Sequence, residues 1–272
     1  MALSVLNNIP SLIAEDQLTV TQGDLQNTLT QLSSGSRINN GSDDAAGLAI
    51  ANGLQANITA LTQSVANAND GVGALQVADG ALGQVTNLLN RAITLGTEAA
   101  TGTVSSAQRV ALDDEYQAIR NEIDNIGSQT TFNGTAVFGT GTTSIFLSDS
   151  TTTGTTQITV NTVNLSTASL GISGNLTTAS LAQTELTAIN TAIGTIAGDR
   201  GSLGATVNQL QAASNVFSVQ IQNLTTAEDQ ITAADIPTVV SNLSKYSILE
   251  QTGISALAQA NSAQQQVLNL LH

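Results

Sequence analysis

The segment LQANITALTQSVANANDGVGAL, residues 54–75, carries apolar side chains at alternating intervals of four and three residues. The positions in this series are Leu54, Ile58, Leu61, Val65, Ala68, Val72 and Leu75. Such a 4-3 repeat is the heptad seam of a coiled coil, whereas an ordinary globular helix buries a broader stripe. The segment therefore predicts a long helix that packs against other helices along a narrow seam.

The same spacing recurs along the chain and defines further helices. One seam runs through Leu112, Tyr116, Ile119, Ile123 and Ile126, and another runs from Ile189 to Ile231. We predict helices over residues 4–33, 46–100, 105–128, 178–234 and 237–270. At ~1.5 Å per residue the second helix would be roughly 80 Å long, which predicts an elongated bundle rather than a compact domain.

The middle of the chain has a different composition. From residue 130 to about residue 178 it is rich in Thr, Ser and Gly, with short alternating runs at 143–147 and 157–163. Thr and Val favour strands, and the intervening glycines supply turns. The predicted fold class is therefore mainly α, a long coiled-coil helical bundle built from both chain ends, with a small β-hairpin element.

Charge and composition exclude several function classes. The net charge is −14, with 20 acidic and 6 basic residues. Nucleic-acid binding requires clustered Lys and Arg, so no nucleic-acid partner is expected. The sequence contains no apolar run of 18 residues, so insertion into a membrane is not expected. Because the first basic residue is Arg37, the sequence shows no positive segment of a cleaved signal peptide.

Residue types that build catalytic and metal sites are scarce. The chain has no cysteine, and its one histidine is His272. A Ser–His or Cys–His pair, a thiolate metal site and an HExxH zinc motif are therefore not expected. Acidic pairs such as Asp113–Asp114 are better explained as residues near helix starts, where the helix dipole favours them. We predict no enzyme, no cofactor and no metal site.

The two chain ends carry apolar seams that need partners. One seam is Leu18, Leu25, Leu29 and Leu32, and the other is Ile236, Val240, Leu243, Ile254, Leu257 and the run VLNLL at 267–271. Isolated helices of this kind are marginal in water, so we expect them to pair with each other and with other copies of the chain. The pattern alone does not distinguish a filament from a dimeric coiled coil. The predicted polymer contacts are Leu25, Leu29, Leu32, Leu257, Val267, Leu270 and Leu271.

Motifs at both ends resemble those of bacterial flagellins. They are QLSSGSRINNGSDDAAGLAIAN at 31–52, NANDG at 67–71 and TFNG at 131–134 in the first half, and SNLS at 241–244, LAQAN at 257–261 and VLNLL at 267–271 in the second. The resemblance covers about residues 1–138 and 179–272, in the same order as in that family.

This resemblance implies a structural subunit that self-assembles into the extracellular flagellar filament used for swimming. It implies an inner tube domain of residues 1–45 plus 235–272 and an outer domain of residues 46–234, with the hairpin around 130–178. Implied partners are copies of the chain, the flagellar export chaperone, the filament cap and hook-associated proteins. Two alternatives remain open: a hook–filament junction protein, and a cytoplasmic coiled-coil scaffold from a different class.

The resemblance also implies a receptor-binding patch. Flagellins detected by the host Toll-like receptor for flagellin present an Arg and a Leu one helical turn apart, with a Glu on the following helix. Arg91, Leu95 and Glu115 occupy those positions here. The alternative is that Arg91 and Glu115 simply pair across two helices.

Overall fold

The computed structural model describes residues 8–149 and 157–270, with helix side chains described through residue 266. In this part of the chain there are five helices and four strands. The helices are α1 (Ile9–Ser34), α2 (Ala45–Ala100), α3 (Ser106–Gln129), α4 (Ala179–Thr232) and α5 (Ile236–Leu270). The strands are β1 (Thr131–Phe132), β2 (Thr135–Ala136), β3 (Gly141–Phe146) and β4 (Gln157–Thr162). The mainly helical fold with a small hairpin is confirmed.

Most predicted helix ends agree with the structure within two residues, but the first helix starts later than predicted. Asn8 lies outside α1 and caps it, because its side-chain oxygen accepts a hydrogen bond from the Ser11 amide and Pro10 occupies the first turn. The predicted helical residues 4–7 lie outside the described part of the chain. Gly35 ends α1 in the left-handed conformation, with φ of 70°.

The chain forms two compact units. One comprises Met1–Ala56 and Leu224–His272, and the other comprises Asn57–Asn223. These units divide within α2 and α4, whereas the predicted domain boundaries lie next to the helix starts.

A helical core fills the Asn57–Asn223 unit. In α2 one buried series repeats every seven residues at Leu61, Ala68, Leu75, Leu82 and Leu89, and a second does so at Ala78, Val85, Ala92 and Ala99. Seven-residue repeats place these side chains on a continuous seam. The facing residues include Ile119 and Ile123 of α3 and Ile189, Ile196, Leu203 and Leu210 of α4. Small Ala side chains on the seam allow the helices to approach closely.

Two antiparallel hairpins cover part of this core. In β3–β4 the register pairs Gly141 with Thr162 and Phe146 with Gln157. Alternation along β4 buries Ile158 and Val160 against the core, which is the pattern of a strand with one covered face. The β1–β2 hairpin was not predicted as a separate element. Asn133 and Gly134 form its two-residue turn, with φ of 48° and 77°, as an Asn-Gly hairpin turn requires.

Buried polar groups fix the segment that leads into α4. The Tyr116 hydroxyl, fully buried on α3, donates a hydrogen bond to the Glu185 carboxylate of α4. The second carboxylate oxygen of Glu185 accepts a bond of 3.1 Å from the Gly174 amide. Asp113 of α3 accepts a bond of 2.7 Å from the Leu176 amide. These bonds explain how a buried carboxylate is tolerated, since each oxygen has a donor.

Candidate assembly surface and receptor patch

α1 and α5 pair as antiparallel helices. The Asn8 side-chain amide donates to the Ala260 carbonyl at 3.3 Å, and the Ser11 hydroxyl donates to the Asn261 side chain at 3.0 Å. Further along the pair, Gly253 lies so close to Leu18 that a Cβ placed there would be 3.3 Å from the Leu18 side chain. The terminal helices therefore pair within one molecule, as the two apolar seams predict.

The inner seam of this pair is narrow and partly polar. The α1 residues turned inward follow a 4-3 spacing, namely Leu18, Thr21, Leu25, Thr28 and Leu32. Those of α5 do the same, namely Val239, Leu243, Tyr246, Glu250, Gly253, Leu257 and Ala260. Most are only half-buried. The hydroxyls of Thr21 and Thr28 donate to carbonyls one turn back in α1, which satisfies them inside the interface.

Larger apolar side chains lie on the outward faces of both helices. Ile13 is 64% exposed and Ile248 is 63% exposed. The other exposed apolar residues are Ile9, Leu12, Val20 and Leu29 on α1 and Ile236, Val240, Leu249 and Ile254 on α5. Scattered apolar side chains are normal on a surface, but a concentration of this kind on one helix pair marks an interaction site.

The predicted polymer contacts fall into three groups. Leu25, Leu32 and Leu257 are half-buried within the α1–α5 pair. Leu29 is 48% exposed and lies on the outward face of α1, whereas the neighbouring Thr28, whose hydroxyl is satisfied within the helix, occupies the inner seam. Of the remainder, Val267 and Leu270 lie on α5 where side chains are not described, and Leu271 lies outside the described residues.

Backbone hydrogen bonds join the two segments that connect to these helices. Ser36 and Ala233 form an antiparallel bridge. The Arg37 amide donates to the Thr232 carbonyl at 2.7 Å, and the Ala234 amide donates to the Gly35 carbonyl at 3.0 Å. The α1–α2 and α4–α5 connections are thus tied together directly at the backbone.

The α2–α3 turn brings Arg91 and Glu115 together. Arg109 donates to the carbonyls of Ala99 and Thr101, both at 2.8 Å, and so caps the end of α2. This closure sets α3 antiparallel to α2, and the Arg91 guanidinium then lies 2.7 Å from the Glu115 carboxylate. The Arg91 and Glu115 side chains are 53% and 46% exposed, respectively.

Leu95 differs from the other two predicted patch residues. Its exposed fraction is 1%, because it lies in the core cluster of the Asn57–Asn223 unit. Arg91 and Leu95 are one helical turn apart, but the Leu95 side chain packs into the core and the Arg91 side chain faces solvent. The expectation that Leu95 presents an exposed contact beside Arg91 is therefore wrong for the isolated chain.

Neither a cluster of metal-ligand side chains nor a membrane-crossing helix occurs among the described residues. Within residues 8–149 and 157–270, no three His, Cys, Asp or Glu side chains come together as metal ligands. Among the described helices, none has a stretch long and apolar enough to cross a bilayer.

Paired terminal helices that present apolar side chains to solvent are typical of helical structural proteins that self-associate. Residues 5–143 match the family model of the bacterial flagellin N-terminal helical region, and residues 186–271 match that of the C-terminal helical region. The chain belongs to the bacterial flagellin family.

Individual relatives agree with this assignment. A flagellin of Halalkalibacterium halodurans is 31% identical over 97% of this chain and 98% of its own length. Polar flagellin F of Vibrio parahaemolyticus is 41% identical over 49% of this chain, and this match spans only 36% of that longer protein.

Solved structures show a similar fold. The crystal structure of Bacillus cereus flagellin has a TM-score of 0.50 and 33% identity, covering 56% of this chain and 88% of that one. A putative flagellar hook-associated protein from Vibrio parahaemolyticus has a TM-score of 0.58 over 70% of this chain and all of that one. Its identity of 15% shows likeness of fold alone.

Proposed function

We propose that this chain is the structural subunit of the flagellar filament, assembled from copies of itself through the outward faces of α1 and α5. The observation that carries the proposal is the concentration of exposed apolar side chains on the paired terminal helices. Burying these side chains against neighbouring copies would contribute about 25 cal/mol per Å² of apolar surface. A filament subunit lies outside the cell, so we also propose an extracellular location.

The domain assignment follows from the same proposal. The α1–α5 pair would form the inner tube, and the unit with the hairpins would form the outer part of the subunit. An export chaperone, a filament cap and hook-associated proteins are further proposed partners, since a filament protein must be delivered and joined at its ends.

A charge placed on the outward face tests the proposed assembly surface. Ile248→Glu should leave the monomer folded, because Ile248 is already exposed, and should abolish filament formation, because an unpaired charge would be buried on assembly. Gln84→Glu is the matched control, since it adds the same charge at an exposed position of α2. Polymerisation is measured by sedimentation and electron microscopy, and folding by circular dichroism.

The outcomes distinguish the candidate functions. Filaments from the wild type and from Gln84→Glu, with none from Ile248→Glu, would support the proposal. Normal filaments from Ile248→Glu would refute the assembly surface. Discrete dimers from the wild type under polymerising salt would instead favour the coiled-coil scaffold.

We further propose that Arg91 and Glu115 form a patch for the host Toll-like receptor for flagellin, with Leu95 supporting it from the core. The support is the exposed Arg91–Glu115 pair, which presents both side chains to solvent. Leu95→Ala would be an ambiguous test, because truncating a buried Leu costs about 2–5 kcal/mol of stability.

Arg91→Ala tests the patch more cleanly, because an exposed ion pair contributes only about 0.2–1 kcal/mol to folding. The variant should weaken receptor signalling by monomer in a reporter-cell assay and should also impair polymerisation if the next subunit covers this face. Arg200→Ala is the matched control, since Arg200 forms a similarly exposed pair with Asp79. Normal assembly of Arg91→Ala, with intact filaments signalling as strongly as monomer, would exclude shared burial.

A further inference from the structure

A cavity of about 460 Å³ lies between α2 and the two hairpins. We call it the hairpin cavity; its lining includes Asp70, Phe132, Phe138, Phe146 and Asn161. Its volume is within the range of small-molecule sites, which are apolar clefts with a few polar groups. None of these residues belongs to the proposed assembly surface or to the Arg91–Glu115 patch.

Aromatic rings are concentrated at this cavity. The chain contains only four Phe, and three of them line it. Phe138 is buried, the Phe132 ring lies 3.4 Å from the position of an added Cβ at Gly73 on α2, and Phe146 at the end of β3 is 50% exposed. The Asn67 side chain holds this end of β3 on α2 by donating to the Phe146 carbonyl at 3.1 Å. Phe132 is therefore the aromatic ring that lies beside the turn of α2 that carries Asp70.

The charge at the cavity is negative and uncompensated. Asp70 makes no hydrogen bond or ion pair within the described part of the chain, and no Lys or Arg is among the described residues that line the cavity. Phenyl faces attract cations, and a carboxylate beside them adds a direct partner for a cationic donor. The net charge of −14 disfavours an anionic ligand.

We propose that the hairpin cavity binds a small organic cation of the alkylguanidinium or alkylammonium class. The apolar part would lie on Phe138, and the cationic head would contact the Phe132 ring and the Asp70 carboxylate. One carboxylate with aromatic neighbours suits an organic cation, whereas a metal ion requires several oxygen ligands.

A second copy of the chain is a poor source of this cation. All five arginines are already held by acceptors within the chain. The pairs are Arg37 with Asp44 and Ile231, Arg91 with Glu115, Arg109 with Ala99 and Thr101, Arg120 with Gln117 and Gly174, and Arg200 with Asp79. The single lysine, Lys245, lies over its own neighbour Tyr246, with the ammonium 5.5 Å from the ring centre. The ligand is therefore a separate molecule.

The test compares butylguanidinium with butylurea, which has nearly the same shape and no charge. Each is titrated into the full-length monomeric chain, and affinity is measured by ligand-observed NMR at fixed ionic strength. Butylguanidinium should bind at least about tenfold more tightly, as expected for hydrogen bonding to a charged group. This comparison uses the wild type alone and does not depend on any variant folding.

Variants then locate the site. Asp70→Asn should weaken butylguanidinium binding about tenfold and leave butylurea unaffected, and Phe132→Ala should weaken both. Asp114→Asn is the matched control, because it removes the same charge from an exposed position of α3 outside the cavity. Circular dichroism confirms that each variant is folded. Equal affinity for the two probes, no binding of either, or equal losses in Asp70→Asn and Asp114→Asn would overturn the proposal.

Discussion

Replacing Tyr116 by Phe removes one hydroxyl group from the middle of the helical core and changes almost nothing else. In the wild type this hydroxyl donates to Glu185, whose other carboxylate oxygen accepts from the Gly174 amide. Tyr116 is fully buried and Glu185 is 5% exposed, so no solvent can replace the missing donor without opening the structure.

The expected cost follows from the acceptor that is left without a donor. A buried group that loses its only partner costs about 1–3 kcal/mol, and a charged group costs more. We therefore expect Tyr116→Phe to lower the free energy of unfolding by about 2 kcal/mol. For a unit of 150–250 residues, a range that includes the Asn57–Asn223 unit, each 1 kcal/mol lowers the melting temperature by about 2–4 °C, which gives a fall of roughly 4–8 °C here.

Thermal and denaturant unfolding followed by circular dichroism measure this change. Tyr246→Phe is the control, because Tyr246 is the only other tyrosine and its hydroxyl makes no hydrogen bond among the described residues. Adding Glu185→Gln to Tyr116→Phe should recover part of the loss, since a neutral amide costs less to bury unpaired than a carboxylate. The reasoning would be refuted if Tyr116→Phe melted like Tyr246→Phe.

Three further predictions concern pH, packing and surface charge. Burial, and next the hydrogen bond to Glu185, raise the pKa of the Tyr116 hydroxyl in the folded chain. The stabilisation that the protonated hydroxyl provides is therefore fully present below about pH 10 and is lost progressively as the pH rises further. Alkaline unfolding curves that coincide for the wild type and Tyr116→Phe would contradict this. Gly127→Ala should lower the free energy of unfolding by about 1–3 kcal/mol, because the added Cβ would overlap the Leu165 carbonyl oxygen. Gly83→Ala should raise it by up to about 1 kcal/mol, because the added Cβ would lie in open space. Denaturant unfolding of both variants checks the two signs. The Arg200 guanidinium lowers the pKa of Asp79, so the pair stabilises the fold above the unfolded pKa of Asp79 and loses this effect as the pH falls. Asp79→Asn should lower the free energy of unfolding by less than about 1 kcal/mol. A loss that did not shrink in high salt would argue against a screened surface pair.

The helices were predictable because their apolar spacing continues over many turns. In α2 the apolar seam that begins at Leu54 continues to Ala99, so one irregular position does not obscure the helical repeat. The hairpin strands β3 and β4 were also indicated by Thr and Val alternation. The β1–β2 hairpin was missed because its strands have two residues each, although the Asn133–Gly134 turn was visible in the sequence.

The inner seam of the terminal helices was harder to predict. Thr21 and Thr28 count as polar in any hydropathy pattern, yet their hydroxyls bond within α1 and their methyl groups can pack inward. Leu29 was placed in the seam because it is apolar, but it faces solvent. Sequence identifies the apolar surface of α1 and does not decide which part of it pairs with α5.

The candidate sites depended on contacts between distant residues. The Arg91–Glu115 pair came from the family resemblance, and the burial of Leu95 could be known only once α3 and α4 were packed on α2. Glu185 occupies a core position at which an amphipathic pattern predicts an apolar residue. Its burial could not be predicted, because its hydrogen-bond donors come from α3 and from the segment before α4. The hairpin cavity likewise joins residues about 90 positions apart, and no local motif marks it.

The bridge between Ser36 and Ala233 couples the lengths of two connections that are almost 200 residues apart in sequence. Its bonds run from backbone to backbone, so side-chain substitutions at Arg37 or Ala234 leave the donors and acceptors in place. An inserted residue is different, because it would slide one connection past the other by about 3.3 Å, the rise of one extended residue. Side chains here are free to diverge over evolutionary time, whereas an insertion or deletion in one connection requires a compensating change in the other.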